Sequence, residues 1–235
     1  MTMAEYKKHT LSAFDAALDS LRNDAIMMSR LTERLFENAI QGLLKRDNDL
    51  CNLTIGDDEE IDLLEKEVDR KGIEILTRFH PVASDLRRVI SAMKLGTNLE
   101  RVADQSVMIA RRAKALNRSE TAVSEVSLIE PLYREAIGLF RDSLRAFVDG
   151  NAELARKLEP RDRLLDKLNA DLNEKAAEQM ALTDDQERAQ DLLHTVFIAR
   201  ALERIGDYAT NIAAAAIWVE LAEDIRHTYD QKKED

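Results

Sequence analysis

Two short segments of the sequence share one acidic pattern. "LERVADQSVMI" and "LERIGDYATNI" both begin with Leu-Glu-Arg, and both place an Asp four residues after the Glu. On one helix Glu100 would neighbour Asp104, and Glu203 would neighbour Asp207, at a cost of about 0.2–0.5 kcal/mol per pair of like charges. Carboxylate oxygens at this spacing are suitable ligands for hard or borderline cations such as Mg²⁺, Ca²⁺, Mn²⁺ or iron.

A single acidic pair is weak evidence, because a chain of 235 residues with 45 acidic side chains contains about eight such pairs by chance. Position within an internal repeat is stronger evidence. A shift of 104 residues lays "FENAIQGLLKRDNDL" on "FRDSLRAFVDGNAEL", and a shift of 103 lays Glu100 and Asp104 on Glu203 and Asp207. The chain therefore contains two related halves, each too long for a solenoid unit.

A second acidic pair also survives the shift of 104 residues. It consists of Asp58 and Asp62 in the first half and of Asp162 and Asp166 in the second. The competing pair of Glu65 and Asp69 falls on two asparagines in the second half. An ion site at this pair would have no charged ligands in the second half, so we rank Glu65 and Asp69 lower as candidate metal ligands.

Hairpin geometry gives an independent check, because residues equidistant from the turn between antiparallel helices lie side by side. The acidic pairs of the first half have their midpoint at Pro81, and those of the second half at position 184.5, inside "TDDQ". We therefore expect each hairpin to bring four carboxylates together, with Glu65 and Asp69 about one and a half to two turns away. Four such anions need a counter-charge or protonation, and a cation is the simplest counter-charge.

Helical phase predicts that these sites lie on the surface. At 100° per residue, Glu203 and Asp207 point away from the expected core stripe, which consists of Leu202, Ile205, Ala209 and Ile212. The alternative interpretation is a solvated face on which Arg101, Arg204 or nearby lysines neutralise the acids in surface pairs of little energetic consequence.

Composition indicates an all-α protein. Seven Gly and three Pro are well below average usage of roughly 7% and 5%. The net charge of −11 disfavours binding to nucleic acid or to an anionic membrane surface. A single cysteine, Cys51, excludes an internal disulfide and fits a reducing cytoplasm, and the absence of a long apolar run predicts no signal segment and no membrane span.

Apolar residues recur with helical spacing through both halves. The predicted helices of the first half end near residues 46, 79 and 117. Pro81 should end the second helix, and Ser84 with Asp85 should cap the third.

The same plan recurs in the second half, where Gly56 falls on Pro160 so that helix breakers coincide. We therefore predict two tandem homologous three-helix bundles, covering residues 1–117 and 122–229, followed by a polar tail at 230–235.

These residues resemble the PhoU family, the cytoplasmic accessory proteins of bacterial phosphate-specific transport. The resemblance covers essentially the whole chain and depends on "FDAALDSLRNDAIMM", "PVASDLRRV" and the paired "LERVAD" and "LERIGDYATNI". It implies two three-helix bundles that carry multinuclear metal clusters on E(D)-x-x-x-D pairs. The implied ligands are Asp58, Asp62, Glu100 and Asp104 in the first cluster, and Asp162, Asp166, Glu203 and Asp207 in the second.

The resemblance also implies a function without catalysis. Such proteins restrain phosphate uptake and phosphate-responsive two-component signalling through contacts with the phosphate transporter ATPase and the phosphate-sensing histidine kinase. Iron, manganese or magnesium ions are the expected cofactors, and a cytoplasmic homodimer that neither binds nucleic acid nor inserts into membrane is the expected form.

The chain departs from the family pattern at several positions. Ala103 and Met108 stand where the second half has Gly206 and Asn211, and "QERAQDLL" replaces the "SDLRRV"-like entry to the last helix. The two clusters are therefore not assumed to be equivalent.

Three alternatives remain open. One is an accessory regulator of a different, ion-coupled phosphate transporter or of another signalling pair. Another is a di-iron carboxylate enzyme, although that class uses Glu-x-x-His pairs in the bundle core and no such string occurs in this chain. The third is a purely structural scaffold.

Overall fold

The structure is a computed structural model that describes residues 3–119 and 124–225. Throughout these ranges every regular element is helical. The helices are α1 Met3–Leu44, α2 Asn48–Phe79, α3 Ala83–Leu116, α4 Ile129–Asp149, α5 Ala152–Arg156, α6 Glu159–Leu182 and α7 Gln186–Leu221, and a 3₁₀ turn, Ser124–Leu128, precedes α4. The predicted tail at 230–235, and residues 226–229 before it, lie outside the described residues.

Both hairpin turns lie where the acidic midpoints placed them. The turn between α2 and α3 comprises residues 80–82, around Pro81, and the turn between α6 and α7 comprises residues 183–185. His80 ends α2 in the left-handed region, with φ 48°. The Asp185 carboxylate starts α7 by accepting hydrogen bonds from the backbone N–H groups of Glu187 and Arg188, which is a standard helix cap.

The predicted cap of α3 is wrong. The helix begins at Ala83, so that Ser84 and Asp85 lie inside its first turn rather than before it. Val82 occupies the cap position without any side-chain hydrogen bond, and its carbonyl accepts from the backbone N–H of Asp85 at 3.2 Å. The acidic side chain of Asp85 still suits the positive end of the helix dipole.

The two predicted helix breakers behave differently. Gly56 lies inside the uninterrupted helix α2, whereas the chain breaks at Lys157 and Leu158, and Pro160 lies in the first turn of α6. Glycine keeps its backbone N–H and therefore remains compatible with a helix. Proline lacks that donor and its ring clashes with the preceding turn, so it is tolerated only near a helix start.

Helices α3 and α7 pack against each other in antiparallel fashion at the centre of the molecule. Arg87 donates to the backbone carbonyl of Val219 at one end, and the Arg112 guanidinium lies 3.3 Å from Nδ1 of His194 at the other. One hydrophobic core extends through both halves. Phe36 of α1 meets Phe140 of α4 edge to face within it, with ring centroids 6.5 Å apart.

A second, smaller core lies under the outer part of the first bundle, around Leu21, Val68, Ile75 and Val89. On the surface, Arg141 of α4 donates to the carboxylates of Glu33 and Glu37 of α1 and links the halves again. None of the helices in the described ranges is long and apolar enough to cross a membrane.

The position of Gly56 gives the first prediction. A Cβ added to Gly56 meets nothing within 4 Å, so Gly56→Ala should raise the free energy of unfolding by about 0.5–1 kcal/mol through helix propensity. Urea denaturation measures this change. The matched control is Gly42→Ala in α1, where the new Cβ would lie 2.5 Å from Sγ of Cys51 and should destabilise the protein. Equal effects of both substitutions would contradict this account.

Candidate metal centre

The first acidic cluster forms between α2 and α3. Burial raises the pKa of Asp58, and the charges of Asp62 and Asp104 raise it further. Asp58 and Asp62 share a face of α2, and Asp104 lies on α3, so the hairpin brings carboxylates from two helices into mutual range. Ile61 of α2 and Leu99 of α3 are fully buried nearby and hold the acids at the edge of the core.

Glu100 is the most strongly perturbed acid of this cluster. Its pKa rises to about 7, first because of burial and then because of the neighbouring charge of Asp104. The Arg101 guanidinium opposes this rise, and Glu65 and Asp62 add to it. Glu100 is therefore harder to ionise while its acidic neighbours are charged.

Glu65 lies within electrostatic range of the first cluster, since its charge adds to the raised pKa of Glu100. Its Cγ lies 4.0 Å from the point that a Cβ on Gly96 would occupy, one turn before Glu100 on α3. This is an ordinary van der Waals separation, so Glu65 lies beside α3 about one turn from Glu100, as its distance from the turn at Pro81 implies.

The second acidic cluster forms between α6 and α7. Burial raises the pKa of Glu203, and the charges of Asp207 and Asp166 raise it further. Oδ1 of Asp162 lies 3.2 Å from the point that a Cβ on Gly206 would occupy. In this half, Asp166 and Asp207 thus lie within electrostatic range of Glu203, and Asp162 lies beside Gly206 of α7.

Close packing explains one difference between the two halves. A Cβ on Gly206 would lie 2.5 Å from Cδ2 of the buried Leu165, so a larger residue at this position would require the Leu165 side chain to move. In the first half, Ala103 and Ile61 occupy the corresponding positions, and both are fully buried. Ala103, which departs from the family string, thus corresponds to Gly206, and the residue on the facing helix is Ile61 rather than leucine.

Arginines oppose the acidic charges in both clusters. Arg101 lies 3.4 Å from Glu100 and 3.6 Å from Asp104. Its side chain is 53% exposed, and surface pairs of this kind contribute only about 0–1 kcal/mol.

In the second cluster, Arg200 and Arg204 lower the pKa of Glu203 against the larger effects of burial and neighbouring acids. Arg204 also donates to the hydroxyl of Tyr208 at 3.3 Å. Neutralisation by arginine, the alternative interpretation, therefore applies in part to both clusters.

The asparagines of α6 make the second cluster less acidic. Asn169 occupies the position that corresponds to Glu65, and its Oδ1 accepts a hydrogen bond from Nδ2 of Asn173 at 3.3 Å. The corresponding positions of the first half are the acids Glu65 and Asp69. The second half therefore has two neutral side chains where the first half has two acidic ones.

The donor set of both clusters suits a hard cation. All eight predicted ligands are carboxylates, the oxygen donors that such ions prefer. Asp104 and Asp207 are exposed and the other six are half-buried, so an ion could reach them from solvent. Within residues 3–119 and 124–225, no group of three or more Asp, Glu, His or Cys side chains is already arranged to hold an ion. Ligation would require these exposed and half-buried side chains to rotate.

The perturbed carboxyl of Glu100 gives a prediction for the metal-free protein. Because its folded pKa of about 7 lies above the ordinary 4.5, stability should fall as pH rises between these values. Glu100→Gln removes that loss, so it should unfold at a higher temperature than wild type at pH 8 and at a similar temperature at pH 4.5.

Thermal unfolding in EDTA tests this expectation. The control is Glu67→Gln, since a hydrogen bond from Arg70 lowers the pKa of Glu67 to about 2 and its loss should not stabilise the protein at pH 8. A Glu100→Gln variant that is less stable than wild type at pH 8 would contradict the assignment.

Comparison with known proteins identifies the fold. A family model described as "PhoU domain" matches residues 25–113 and 129–216, one match in each half. The chain is 31% identical over 220 residues to the phosphate-specific transport system accessory protein PhoU homolog of Pseudomonas putida, covering 93% of this chain and 85% of that protein.

Two solved structures are also similar to this chain. The crystal structure of PhoU from Pseudomonas aeruginosa matches with a TM-score of 0.85 at 28% identity, covering 89% of this chain and all of that one. The phosphate transport system regulatory protein PhoU from Streptococcus pneumoniae matches with a TM-score of 0.80 at 25% identity, covering 90% and 98%. The predicted all-α fold of two tandem three-helix bundles is thereby confirmed, and the chain belongs to the PhoU family.

Proposed function

We propose that this chain is a metal-binding accessory regulator of phosphate uptake and of phosphate-responsive signalling. Its relatives support the first part, since the Pseudomonas putida protein is named as a phosphate-specific transport system accessory protein. The same name describes an accessory role rather than an enzyme, and the proposal is accordingly a function without catalysis.

The observation that carries metal binding is the repeated convergence of carboxylates. In each half, partial burial together with nearby acids on two helices raises the pKa of a glutamate, Glu100 or Glu203. This arrangement costs stability in the metal-free protein. A bound cation would remove the cost, and iron, manganese or magnesium suits the oxygen donors present.

The residues of the chain then have a definite role. Asp58, Asp62, Glu100 and Asp104 would hold ions in the first cluster, and Asp162, Asp166, Glu203 and Asp207 would hold ions in the second. Bound metal would supply open coordination positions that accept phosphate or an acidic partner surface. Because the exposed members of each cluster face solvent, metal binding would convert a repulsive acidic patch into an adhesive one.

The proposed partners are the phosphate-sensing histidine kinase and the transporter ATPase, which a cytoplasmic homodimer would contact. The name of the Streptococcus pneumoniae structure, a phosphate transport system regulatory protein, supports the transport side of this proposal. The kinase, the cytoplasm and the homodimer follow from the family resemblance.

Glu203→Ala with Asp207→Ala should remove one of the two clusters. After reconstitution with Mn²⁺ and desalting, we expect this double variant to hold less metal than wild type but to retain the share bound by the first cluster, which keeps its ligands. Elemental analysis by mass spectrometry measures the content, and Mn²⁺ should raise the unfolding temperature of wild type more than that of the variant.

The matched control is Glu174→Ala with Glu178→Ala, an exposed pair on α6 with the same spacing, which should keep the full metal content. In cells, a phosphate-responsive reporter should lose repression with the cluster variant and keep it with the control. Wild-type protein without metal after reconstitution, together with normal repression by the cluster variant, would reject the mechanism.

A further inference from the structure

A histidine lies at one end of the contact between α3 and α7. The Arg112 guanidinium lies 3.3 Å from Nδ1 of His194, and its Cζ lies 4.5 Å from the ring centroid of Phe197. At the other end of the contact, Arg87 donates to the backbone carbonyl of Val219, an acceptor that does not titrate. The two ends therefore differ, because a histidine is the side chain that gains a proton most readily near neutral pH.

The contact with Arg112 determines the form of the imidazole. A guanidinium has donors and no acceptor, so Nδ1 of His194 must accept the hydrogen bond and carries no proton. The ring is then neutral, with its hydrogen on Nε2. Arg112 cannot adapt by losing a proton, since a guanidinium stays charged in proteins. Protonation of Nδ1 would therefore replace this hydrogen bond by a contact between two cations.

A buried carboxylate with an unpartnered oxygen lies one turn before His194 on α7. Asp191 is 4% exposed, and its Oδ2 has no hydrogen-bond partner among the residues that the structure describes. The Thr195 hydroxyl donates to the backbone carbonyl of Asp191 rather than to its carboxylate. Buried polar atoms normally have a partner. Residues three apart on a helix are neighbours, so a protonated His194 is a donor that Asp191 could accept from.

Two opposite charges act on the histidine. Burial lowers the pKa of His194 from its ordinary 6.5, the charge of Arg112 lowers it further, and the charge of Asp191 raises it. Among the described residues, the charged groups that shift this pKa are Arg112 on α3 and Asp191 on α7. None comes from α4, α5 or α6, which also pack against α7. Asp191 therefore attracts the proton that Arg112 repels.

We propose that Arg112, His194 and Asp191 form a proton-operated latch between the two halves of the molecule. At neutral pH the latch is closed, because Arg112 of the first half donates to the neutral ring of His194 in the second. On acidification His194 gains a proton at Nδ1, the hydrogen bond from Arg112 is lost, and the imidazolium pairs with Asp191 on its own helix. The link between Arg87 and Val219 at the other end stays intact. The latch lies outside both acidic clusters and does not depend on metal binding.

The direction of the pH effect follows from the lowered pKa of His194. Between its ordinary 6.5 and the lower folded value, the unfolded chain binds the proton more readily than the folded chain. The contribution of His194 to stability therefore falls as pH decreases through this window. Glu100 acts in the opposite direction, since its pKa is raised. Total stability thus mixes the two effects, and the test must observe His194 itself.

Nuclear magnetic resonance of the full-length ¹⁵N-labelled protein in EDTA follows the ring nitrogens of His194, which are assigned from their loss in His194→Gln. We expect an unprotonated Nδ1 in the neutral ring and a pKa below 6.5. Asp191→Asn should lower this pKa further, because it removes an attractive charge. Arg112→Gln should raise it, because it removes a neighbouring cation.

The matched control is Arg87→Gln, which cuts the link at the other end of the same helix pair. It should leave the pKa of His194 unchanged even where it lowers stability. Amide hydrogen exchange, corrected for its intrinsic pH dependence, then tests the opening. Below the measured pKa of His194, protection of residues 108–116 should fall in wild type and persist in His194→Gln. Circular dichroism confirms that each variant is folded, and wild type with Arg112→Gln decides the test if Asp191→Asn does not fold.

Several results would overturn the proposal. A wild-type pKa of His194 at or above 6.5, a neutral ring with its hydrogen on Nδ1, or no protonation of His194 before the protein unfolds would each do so. Equal effects of Arg112→Gln and Arg87→Gln on this pKa would show that Arg112 acts only through stability. Protection of residues 108–116 that does not change with protonation of His194 would show that the latch does not open.

Discussion

The antiparallel packing of α3 against α7 is the interaction on which the rest of the structure depends. Leu99 and Val102 of α3 and Leu202 and Ile205 of α7 are fully buried in one shared core. With this face of each helix buried, the adjacent faces turn toward α2 and α6. Those faces carry the acids, so the contact that joins the halves also places one acidic cluster in each hairpin.

The same arrangement links charge to stability. The acids lie at the edge of an apolar core, and burial is the largest cause of the raised pKa of Asp58, Glu100 and Glu203. The halves are related but unequal, since Asn169 and Asn173 of the second half replace the acidic pair of Glu65 and Asp69. Such a difference in nearby charge would give the two clusters different affinities for the same ion.

Much of the candidate site could be predicted from the sequence because a hairpin imposes simple arithmetic. Pro81 lies in the turn between α2 and α3, and equal distances from that turn brought Asp58 and Asp104 together. Gly56 was predicted to break the helix, but it lies inside α2 because glycine keeps the backbone N–H that a helix needs. Residue type alone does not show whether that N–H is used in a helix. The cleft between the two halves, which is lined by residues of α3 and α7, could not be predicted, since helical periodicity assigns a buried face to α3 but does not say which helix covers it.

Anomalous X-ray diffraction from crystals grown with Mn²⁺ tests the central claim most directly. The account predicts anomalous density at two places, one between Asp58, Asp62, Glu100 and Asp104, and one between Asp162, Asp166, Glu203 and Asp207. Crystals of the Glu203→Ala and Asp207→Ala double variant should keep only the first. Well-ordered carboxylates without anomalous density at either place, or manganese bound only elsewhere, would contradict it.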